Sequence, residues 1–421
     1  MNQLRSIKGT HDILPNESKK WQELELIVQE ICNQYGYNEI RTPIFENTNL
    51  FSRGVGEETD IVSKEMYTWT DKDGTSLTLR PELTASVARS FIQNNLGNQA
   101  IIQRLYYKGP LFRRERPQKG RQRQFHQFGV EAFGSENPEQ DAEIIAIAWG
   151  ILNRCGISEN ASLNINNIGS EECRIAYRKA LKSYILPYIN DFSKTSQHRF
   201  KNNPLRILDT KSEKEQIILK DAPIISDFHS TKDSKHFDYL KNYLNALNIS
   251  FTVNDKLVRG LDYYTKTVFE FNSTILGAQD ALLGGGRYDG LVKMLGGKQT
   301  PGIGFAAGME RFLIAMDKSK KQAKMLTPDV YFICIDIEGL SESLKISNEL
   351  RKEGFIVITD TLRRSMKSQL REANKLNSKY TIILGKTEID NGTLIFKNLE
   401  KGTQKTISQT EVINFFHNLT N

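Results

Sequence analysis

The spacing of apolar residues changes along the chain, and each spacing predicts a different kind of element. A period of three to four residues predicts an amphipathic helix that contains Trp21 and ends near Gly36. The same period predicts helices over residues 82–95 and 142–152, and the second is so apolar that we expect it to be buried. Short apolar runs that lie between turn signals predict strands. The first part of the chain is therefore expected to mix strands with helices.

Two early segments predict strands of different kinds. Residues 66–69 and 76–79 flank the sequence Asp71-Lys72-Asp73-Gly74, which is typical of a β-hairpin. Residues 38–46, NEIRTPIFE, look like a strand that is interrupted by Pro43. A proline inside a strand indicates a sheet edge or a contact between subunits, because proline cannot donate a ladder hydrogen bond.

Residues 105–134, LYYKGPLFRRERPQKGRQRQFHQFGVEAFG, predict two strands that are joined by a loop rich in Arg and Lys. Strand alternation places Arg113 and Glu115 on one face of the first strand. It places Phe125, Gln127 and Glu131 on one face of the second. A solvent-facing hairpin would have an apolar inner face, and neither face here is cleanly apolar. The pattern therefore predicts a sheet floor that binds a charged ligand, with a basic loop over it.

The chain predicts two domains and an insertion. Glycine nearly disappears between residues 170 and 249, where Lys, Ser and Asn separate helical patterns. We interpret this segment as a helical insertion. Its default interpretation is a solvated helical module. Residues 317–329, DKSKKQAKMLTPD, predict a linker. Strands and helices alternate after it, which predicts a small α/β domain over 328–421. The first domain is expected to span 1–322.

Three blocks have alternative interpretations when each is taken alone. Residues 282–291, LLGGGRYDGL, hold three consecutive glycines, which indicate either that space is needed beside the backbone or a bulged hairpin turn. Residues 302–312, GIGFAAGMERF, predict a strand, a turn and a helix, suited to a flat ligand or to a tight packing turn. Residues 257–271, LVRGLDYYTKTVFEF, place Arg259 in a strand-like setting, where an Arg needs an anion or a carboxylate as its partner, and the alternative is a structural ion pair with Asp262.

Residues 77–90, LTLRPELTASVARS, turn from strand to helix at Pro81. Glu82 and Thr84 fall in the first helical turn, where both residue types cap a helix, and capping alone is the simpler interpretation.

Composition limits the class of protein. The 421 residues are 38% hydrophobic and 25% charged, which fits a globular protein of two or three domains. No apolar run approaches ~20 residues and the first residues lack a signal peptide's apolar core, so we expect a cytoplasmic protein without a membrane span. The four cysteines lack metal-ligand spacing and are expected to be core residues. The net charge of +7 is compatible with a polyanionic partner but does not prove one.

Two common nucleotide motifs are missing from the sequence. Gly385-Lys386-Thr387 ends like a phosphate-binding loop, but Tyr380 stands where the first glycine is needed, so we interpret it as the end of a strand. The glycines in GIGFAAG have the wrong spacing for a dinucleotide fingerprint. A nucleotide would therefore bind to another fold.

Taken together, the blocks resemble the histidyl-tRNA synthetase family of class II aminoacyl-tRNA synthetases over almost the whole chain. FRRERPQKGRQRQFHQ is similar to the second class II motif, GIGFAAGMERF to the third, and the Pro43 segment to the first, which forms the dimer contact. LVRGLDYYT and GGGRYD resemble two blocks that are peculiar to histidine enzymes, and IKGTHDILP and LRPELTA also match. The HIGH and KMSKS signatures of the other synthetase class are absent.

The resemblance implies an α/β chain: an α+β catalytic domain with a mainly antiparallel sheet, the helical insertion, and a C-terminal α/β anticodon-binding domain. It implies a homodimer that uses ATP with Mg²⁺ to form histidyl-adenylate and pyrophosphate, then transfers histidine to the 3′ end of tRNA(His). Positioning and charge neutralisation would supply the catalysis. In the family, the insertion leans on the acceptor arm of the tRNA, and single-stranded anticodon bases bind the terminal domain.

The resemblance also implies roles for individual residues. Arg113 and Arg259 would bind the α-phosphate and Arg311 the γ-phosphate, and these three are the implied catalytic residues. The implied contacts are with histidine (Glu82, Thr84, Gln127, Glu131, Arg259, Tyr263, Tyr264, Tyr288), with ATP (Arg113, Glu115, Arg121, Phe125, Gly304, Arg311) and with the tRNA acceptor end (Arg116, Gln118, Arg123).

Within these sets some roles are more specific. Glu131 would accept one imidazole N–H and the hydroxyl of Tyr264 would face the other nitrogen, so an amino acid without those nitrogens would be rejected and no editing domain is required. Phe125 and Arg311 would sandwich the adenine, and Arg121 would serve ATP or RNA. The carboxylates that hold Mg²⁺ are not assigned. Position 83 is Leu where many members have Gly, and we expect that side chain to face away from the pocket.

The alternative function is that of a non-catalytic paralogue, which serves as the regulatory subunit of ATP phosphoribosyltransferase. Such paralogues keep the catalytic-domain fold, typically lack the terminal domain and lose the catalytic arginines. Arg113, Arg259 and Arg311 are present here, and so is the predicted terminal domain, which favours the synthetase. A general RNA-binding protein would explain the basic loop but not the glycine-lined pocket.

Overall fold

The computed structural model describes residues 3–420 except 57, 58, 60, 119, 211, 262, 278, 279 and 320–326. The chain divides into two compact units, Met1–Ala323 and Lys324–Asn421. Much of the predicted linker, residues 320–326, lies outside the described residues. Within the described part, each helix is too short or too polar to cross a membrane.

The first unit mixes helices and strands, as the apolar spacing predicts. Its helices are α1 (Pro15–Gln34), α2 (Thr48–Val55), α3 (Thr84–Gln93), α4 (Pro138–Arg154), α5 (Glu171–Ile185), α6 (Lys194–Asn202), α7 (Glu213–Ile218), α8 (Thr231–Ala246), α9 (Leu291–Met294) and α10 (Met309–Lys318). Its strands are β1 (Asn38–Glu39), β2 (Phe45–Asn47), β3 (Tyr67–Thr70), β4 (Ser76–Leu79), β5 (Gln103–Phe112), β6 (Gln124–Phe133), β7 (Ala161–Asn167), β8 (Phe251–Val253), β9 (Thr265–Ser273), β10 (Ala281–Arg287) and β11 (Gly302–Gly308).

A large sheet organises this unit. Among the described residues its strand order is β1-β5-β6-β11-β10-β9-β7-β8. Neighbouring strands are antiparallel except at the two ends, where β1 pairs with β5 and β7 pairs with β8 in parallel. The predicted mainly antiparallel sheet is therefore confirmed. The register sets Glu131 of β6 opposite Gly304 of β11, and Gly284 of β10 opposite Glu270 of β9.

Apolar side chains cover both faces of the sheet. On one face, α1, α4, α8 and α10 bury residues against Phe128, Phe269 and Phe305. On the other, residues of α3, α5 and α9 pack with Tyr107, and Tyr263, Tyr264 and Tyr288 join the same cluster. Because both faces are buried, a one-residue slip of any strand would move its side chains into the wrong core, so the register is strongly specified.

The segment around Pro43 forms two short strands rather than one interrupted strand. β1 joins the large sheet, whereas β2 joins a small sheet in the order β2-β4-β3. Arg80 holds the intervening chain, because its Nη1 donates to the carbonyl oxygens of Thr42 at 2.8 Å and Pro43 at 3.2 Å. The hairpin predicted over residues 66–79 is confirmed as the antiparallel pair β3–β4.

The predicted helical insertion contains α5 to α8 and connects β7 to β8. These two strands are parallel neighbours, so the segment is a crossover connection. Leu240 and Leu244 of α8 are fully buried in the core that α4 shares. The last helix of the segment is therefore part of the main unit, and only its sequence pattern makes it look like a solvated module.

A buried charge cluster ties α8 to the sheet. Arg287 of β10 and Asp141 of α4 have no exposed surface, and Arg287 Nη2 lies 2.6 Å from Asp141 Oδ1. Asp141 Oδ2 lies 2.8 Å from His236 Nε2 of α8 and accepts a 2.6 Å hydrogen bond from Thr267 Oγ1 of β9. An isolated buried charge is strongly destabilising, so these groups hold one another in place.

The second unit is a small α/β fold. Its strands are β12 (Val330–Cys334), β13 (Val357–Thr359), β14 (Tyr380–Leu384), β15 (Thr393–Asn398) and β16 (Gln404–Ser408), and its helices are α11 (Leu340–Lys352), α12 (Met366–Lys375), α13 (Lys386–Asp390) and α14 (Val412–Thr420). The strand order in the described part is β13-β12-β14-β15-β16, with the first three parallel. The sequence did not predict β16 or α13. β14 ends at Leu384, directly before Gly385, which agrees with the strand-end interpretation, and Gly385 is the N-cap of α13, which begins at Lys386.

Candidate active site

A cavity of about 350 Å³ lies in the first unit. Its walls come from the start of α3, the loop after β5, residues of β6, β10 and β11, and the loop before β9. We call this last segment the Arg259 loop (residues 257–261, 263 and 264). The structure brings together eleven predicted site residues on this wall: Glu82, Thr84, Arg113, Glu115, Arg121, Phe125, Gln127, Arg259, Tyr263, Tyr264 and Arg311.

Glu131 lies behind the cavity wall rather than on it. Only 1% of Glu131 is exposed, and its Oε1 accepts hydrogen bonds from Thr84 Oγ1 at 2.7 Å and Tyr107 Oη at 3.1 Å. Its Oε2 accepts a hydrogen bond from the Tyr288 hydroxyl. Burial raises the pKa of Glu131 to about 8, although these hydroxyl groups oppose the shift. Thr84 is on the wall, so it links this carboxyl group to the cavity.

Glu82 both caps α3 and lines the cavity. Its Oε2 accepts a 2.7 Å bond from the backbone N–H of Thr84, and its Oε1 accepts a 2.8 Å bond from that of Ala85. Glu82 therefore satisfies N–H groups at the helix start, as the capping interpretation predicts, but it precedes α3 and also lines the cavity, and the Thr84 hydroxyl donates to Glu131 instead of capping. Burial raises the pKa of the Glu82 carboxyl group. Leu83 is buried in the second core and is not among the cavity-lining residues, as expected.

Arg113 reaches the cavity from just beyond the end of β5. The sequence predicted it inside the strand, but pairing with β6 stops at Phe112 and the chain enters the basic loop. Arg113 Nε donates to the carbonyl oxygen of Pro81 at 2.9 Å, and its guanidinium carbon lies 5.2 Å from the Phe125 ring centroid. Glu115 lies close by, with its Oε1 3.9 Å from Arg113 Nη1. The Arg113 side chain is only 20% exposed, and this burial lowers the pKa of its guanidinium group.

Arg259 lies in a loop, so the strand-like setting predicted for it is wrong. β9 begins only at Thr265. Arg259 Nη1 pairs with Glu270 Oε2, whereas the alternative partner, Asp262, lies outside the described residues. Arg259 Nε is buried and has no hydrogen-bond partner. A Cβ on Gly284 would lie 2.1 Å from Arg259 Nη2, so this glycine provides the space that the guanidinium group occupies.

The other glycines of this region also provide space. A Cβ on Gly285 would lie 2.2 Å from the Gly304 carbonyl oxygen, and one on Gly304 would lie 1.7 Å from Glu131 Oε2. β10 runs through all three consecutive glycines. The interpretation that these glycines leave space beside the backbone is therefore confirmed, and the alternative of a bulged hairpin turn is not. Gly304 was predicted to contact ATP, but the structure places it against Glu131 and not on the cavity wall, because β11 pairs with β6 there.

Arg311 lies in the first turn of α10. The predicted change from strand to helix is confirmed, since β11 ends at Gly308 and α10 begins at Met309. Arg311 Nη1 donates to the carbonyl oxygen of Ala281 at 2.6 Å, and burial lowers the pKa of its guanidinium group. The neighbouring Glu310 accepts a 2.8 Å hydrogen bond from the backbone N–H of His126.

The basic loop lies beside the cavity. Gly120 and Arg121 are on the cavity wall, whereas the predicted tRNA contacts Arg116, Gln118 and Arg123 are not. The backbone N–H of Gln118 donates to the carbonyl oxygen of Arg121 at 3.1 Å, which closes the loop tip. The backbone N–H of Arg123 donates to the carbonyl oxygen of Gly9 at 2.7 Å, so the loop is attached to the amino-terminal segment. Arg116 and Gln118 are exposed.

Sequence reasoning missed three residues of this site. Glu270 lies between Phe269 and Phe271, which are fully buried, and an acidic residue in such an apolar run is a signal for a buried partner. Tyr107 and Glu310 gave no comparable signal, because an aromatic strand residue and an acid at a helix start are both common. In the part of the chain that the structure describes, no three His, Cys, Asp or Glu residues form a metal-binding group.

Comparisons with known proteins point to one family. Residues 9–312 match the family model of histidyl-tRNA synthetase, and residues 329–419 match that of the anticodon binding domain. A histidine–tRNA ligase from Desulforamulus reducens is 46% identical over 409 residues, which is 97% of each chain. One from Acetivibrio thermocellus is 47% identical over 407 residues, with 96% of this chain and 97% of the relative covered. The crystal structure of apo S. aureus histidyl-tRNA synthetase is 38% identical, with a TM-score of 0.84 over 98% of this chain and 100% of that one.

Proposed function

The chain belongs to the histidyl-tRNA synthetase family, and from this premise we propose how its residues activate L-histidine with ATP and transfer it to tRNA(His). The observation that carries the proposal is the cavity on which Arg113, Arg259 and Arg311 converge, with hydroxyl, amide and carboxyl groups beside them. The regulatory paralogue is not favoured, because relatives over nearly the whole length are named histidine–tRNA ligase and residues 329–419 match the anticodon binding domain.

In the first step, a carboxylate oxygen of histidine attacks the α-phosphorus of ATP. A new P–O bond forms, the bond to the bridging oxygen breaks, and pyrophosphate leaves with that electron pair. Arg113 and Arg259 would neutralise the charge that grows on the α-phosphate, and Arg311 would hold the γ-phosphate. Their partial burial strengthens each interaction relative to water.

The adenine would stack on Phe125, with Arg311 covering its other side. Arg113 already lies 5.2 Å from the Phe125 ring centroid, so it is adjacent to the place where the nucleotide would bind. Glu115 and Arg121 share this end of the cavity, with Arg121 Nε 3.4 Å from Glu115 Oε2. We propose that both contact ATP.

The histidine substrate would bind over Thr84 and Gln127. Glu82, Thr84 and Gln127 would hold its α-amino group, and the Tyr264 hydroxyl would face one imidazole nitrogen. Glu131 lies behind Thr84, and its Oε1 already accepts hydrogen bonds from Thr84 and Tyr107, so an imidazole N–H that enters from the cavity would reach this oxygen by replacing Thr84. Thr84 is the donor on the cavity wall and is the one that we propose to move. Tyr263 and Tyr288 would support the pocket.

Mg²⁺ is typical of the family, and the residues present fit it in part. Glu115 Oε2 is buried and accepts no hydrogen bond, although Arg121 Nε lies 3.4 Å away, and Glu115 lines the cavity beside Arg113. Mg²⁺ usually takes one or two carboxylates and completes its shell with phosphate oxygens and water. We propose that Glu115 would contribute one ligand and that the bound ion would offset phosphate charge.

The tRNA would meet both units. Arg116, Gln118 and Arg123 of the basic loop are proposed to contact the acceptor end, including the extra 5′ guanosine of histidine tRNA. The second unit would bind the anticodon bases in a splayed, single-stranded form. Because the relatives are bacterial tRNA ligases, we propose that the chain works in the cytoplasm.

We propose that the enzyme is a homodimer that associates through the small sheet. Phe45 of β2 and Trp69 of β3 are 52% and 40% exposed, and their ring centroids lie 6.0 Å apart, which makes an apolar surface next to Pro43. Replacing both with Ser is expected to raise the dimer dissociation constant about tenfold or more. Sedimentation velocity measures this, with Leu186→Ser as a control because Leu186 is an exposed apolar residue of the insertion. A double variant that dimerises like the control would contradict the assignment.

Histidine-dependent ATP–pyrophosphate exchange tests the function directly. Purified chain is assayed with histidine and, separately, with each other amino acid, and exchange is expected with histidine alone. Charging of tRNA(His) transcript then tests the second step. A folded protein that exchanges with no amino acid would refute the proposal, and binding to ATP phosphoribosyltransferase would then be measured.

A further inference from the structure

The helical insertion holds the Arg259 loop from outside the cavity. Arg174 of α5 donates from Nη1 to the carbonyl oxygen of Tyr264 at 2.6 Å. Arg206, which follows α6, donates from Nη2 to the carbonyl oxygen of Gly260. These two carbonyl groups lie on either side of Tyr263, and Gly260 directly follows Arg259.

The described residues of the loop make few backbone hydrogen bonds to one another. It belongs to no helix or strand, and the nearest regular element, β9, begins after Tyr264. At its start, the Leu257 N–H donates to the Asn254 carbonyl oxygen at 2.9 Å, and Asn166 Nδ2 donates to the Leu257 carbonyl oxygen at 3.0 Å. Besides the Arg259–Glu270 ion pair and the burial of Tyr263 and Tyr264 in the core, the described contacts that hold this part of the loop come from Arg174 and Arg206 of the insertion.

The chemistry of these contacts suits a positioning role. A guanidinium group that donates to a carbonyl oxygen makes a charge-assisted hydrogen bond, which is stronger than a neutral one. Rates of group transfer respond steeply to small misplacements of the groups that bind the reacting atoms. Neither Arg174 nor Arg206 is on the cavity wall, so we attribute their effect on the reaction to the loop that they hold.

We propose that Arg174 is a positioning residue for histidine activation, and that the insertion fixes the Arg259 loop through Arg174 together with Arg206. This inference rests on the proposed function of the loop residues. The buried cluster of Asp141, His236 and Arg287 ties the same insertion to the strand that precedes Tyr288, so the insertion supports both histidine-specific blocks.

Arg174→Met tests the proposal, because methionine keeps the apolar stem and removes the donor. Lys179→Met on the exposed side of the same helix is the matched control. Pyrophosphate exchange is measured with full-length protein. In Arg174→Met, kcat/KM for histidine is expected to be about tenfold lower than in wild type, and KM for ATP to change by less than about twofold. In Lys179→Met, each of these constants is expected to stay within about twofold of wild type. Arg174→Lys is expected to recover part of the loss.

Three results would overturn the inference. Arg174→Met could match Lys179→Met, KM for ATP could rise by the same factor as KM for histidine, or the lysine variant could recover nothing. A wild-type chain without exchange would instead refute the proposed function itself. If Arg174→Met does not fold, amide hydrogen exchange of the loop in Arg174→Lys decides: faster exchange than in wild type supports the inference, and equal exchange overturns it.

Discussion

Replacing Arg259 with Ala is expected to lower histidine-dependent pyrophosphate exchange by about a thousandfold or more, equivalent to ~4 kcal/mol of barrier. The substitution removes a positive charge that we assign to the α-phosphate, where negative charge grows in the transition state. The rate is measured at saturating histidine and ATP, with sedimentation velocity to establish that the dimer persists. Exchange that survives within about tenfold, or ~1.4 kcal/mol, would show that the mechanism is wrong.

Glu270 supplies the control for this experiment. Without Arg259 its carboxylate loses its ion-pair partner and keeps a 2.9 Å hydrogen bond from Asn272 Nδ2. An unpaired carboxylate in a partly buried site is destabilising. The double variant Arg259→Ala with Glu270→Gln is therefore expected to regain thermal stability and to remain inactive. Recovery of exchange in the double variant would mean that the single variant fails through Glu270 rather than through lost catalysis.

Replacing Glu131 with Gln is expected to raise KM for histidine about a hundredfold, with KM for ATP nearly unchanged. Glutamine keeps the size of the side chain but replaces one acceptor oxygen with a donor nitrogen, so the pocket loses either the acceptor for the imidazole N–H or the acceptor for the Tyr288 hydroxyl group. Exchange kinetics with each substrate varied in turn measure both constants. An unchanged KM for histidine would remove Glu131 from the histidine pocket.

The same residue predicts a pH dependence. Burial raises the pKa of Glu131 to about 8, so most of its carboxyl groups carry a proton at pH ~7 and the accepting, ionised form increases as the pH rises. KM for histidine is therefore expected to fall between pH ~7 and ~9, above the ordinary imidazole pKa of ~6.5. Glu131→Gln is expected to lose the part of this pH dependence that comes from the Glu131 carboxyl group. The titration of free histidine is the same for both proteins, so the difference between their pH profiles reports on residue 131. An equal pH slope in the two proteins would contradict the assignment.

Element order was predictable because apolar spacing follows burial. The alternation in QFHQFGVEAF belongs to β6, and the change from strand to helix in GIGFAAGMERF is real. The spacing of apolar residues could not distinguish the Arg259 loop from a strand. Apolar and polar residues alternate roughly in its sequence, LVRGLDYY, as they would in a half-buried strand. Whether a segment pairs depends on neighbouring strands that are distant in the chain, and a local pattern does not contain that information.

The contacts between site residues were also beyond local patterns. The motifs indicated Arg259 and the three glycines separately, but only the pairing of β9 with β10 shows why Gly284 must lack a side chain. Glu131 was expected on the pocket wall, and the structure surrounds it with hydroxyl groups from α3, β5 and the residue after β10. The insertion looked like a separate module, because surface helices and helices that hold a loop have the same composition.

The order in which the central strands are made constrains how this protein is synthesised. β6 lies between β5, its neighbour in sequence, and β11, which leaves the ribosome much later. At ~5–20 residues per second, the hairpin β5–β6 waits on the order of ten seconds or more before β11 is available. During that interval one edge of β6 is unpaired, which is the condition that promotes aggregation. We therefore expect nascent chains that stop before residue 302 to depend on chaperones, since the cavity cannot form in them.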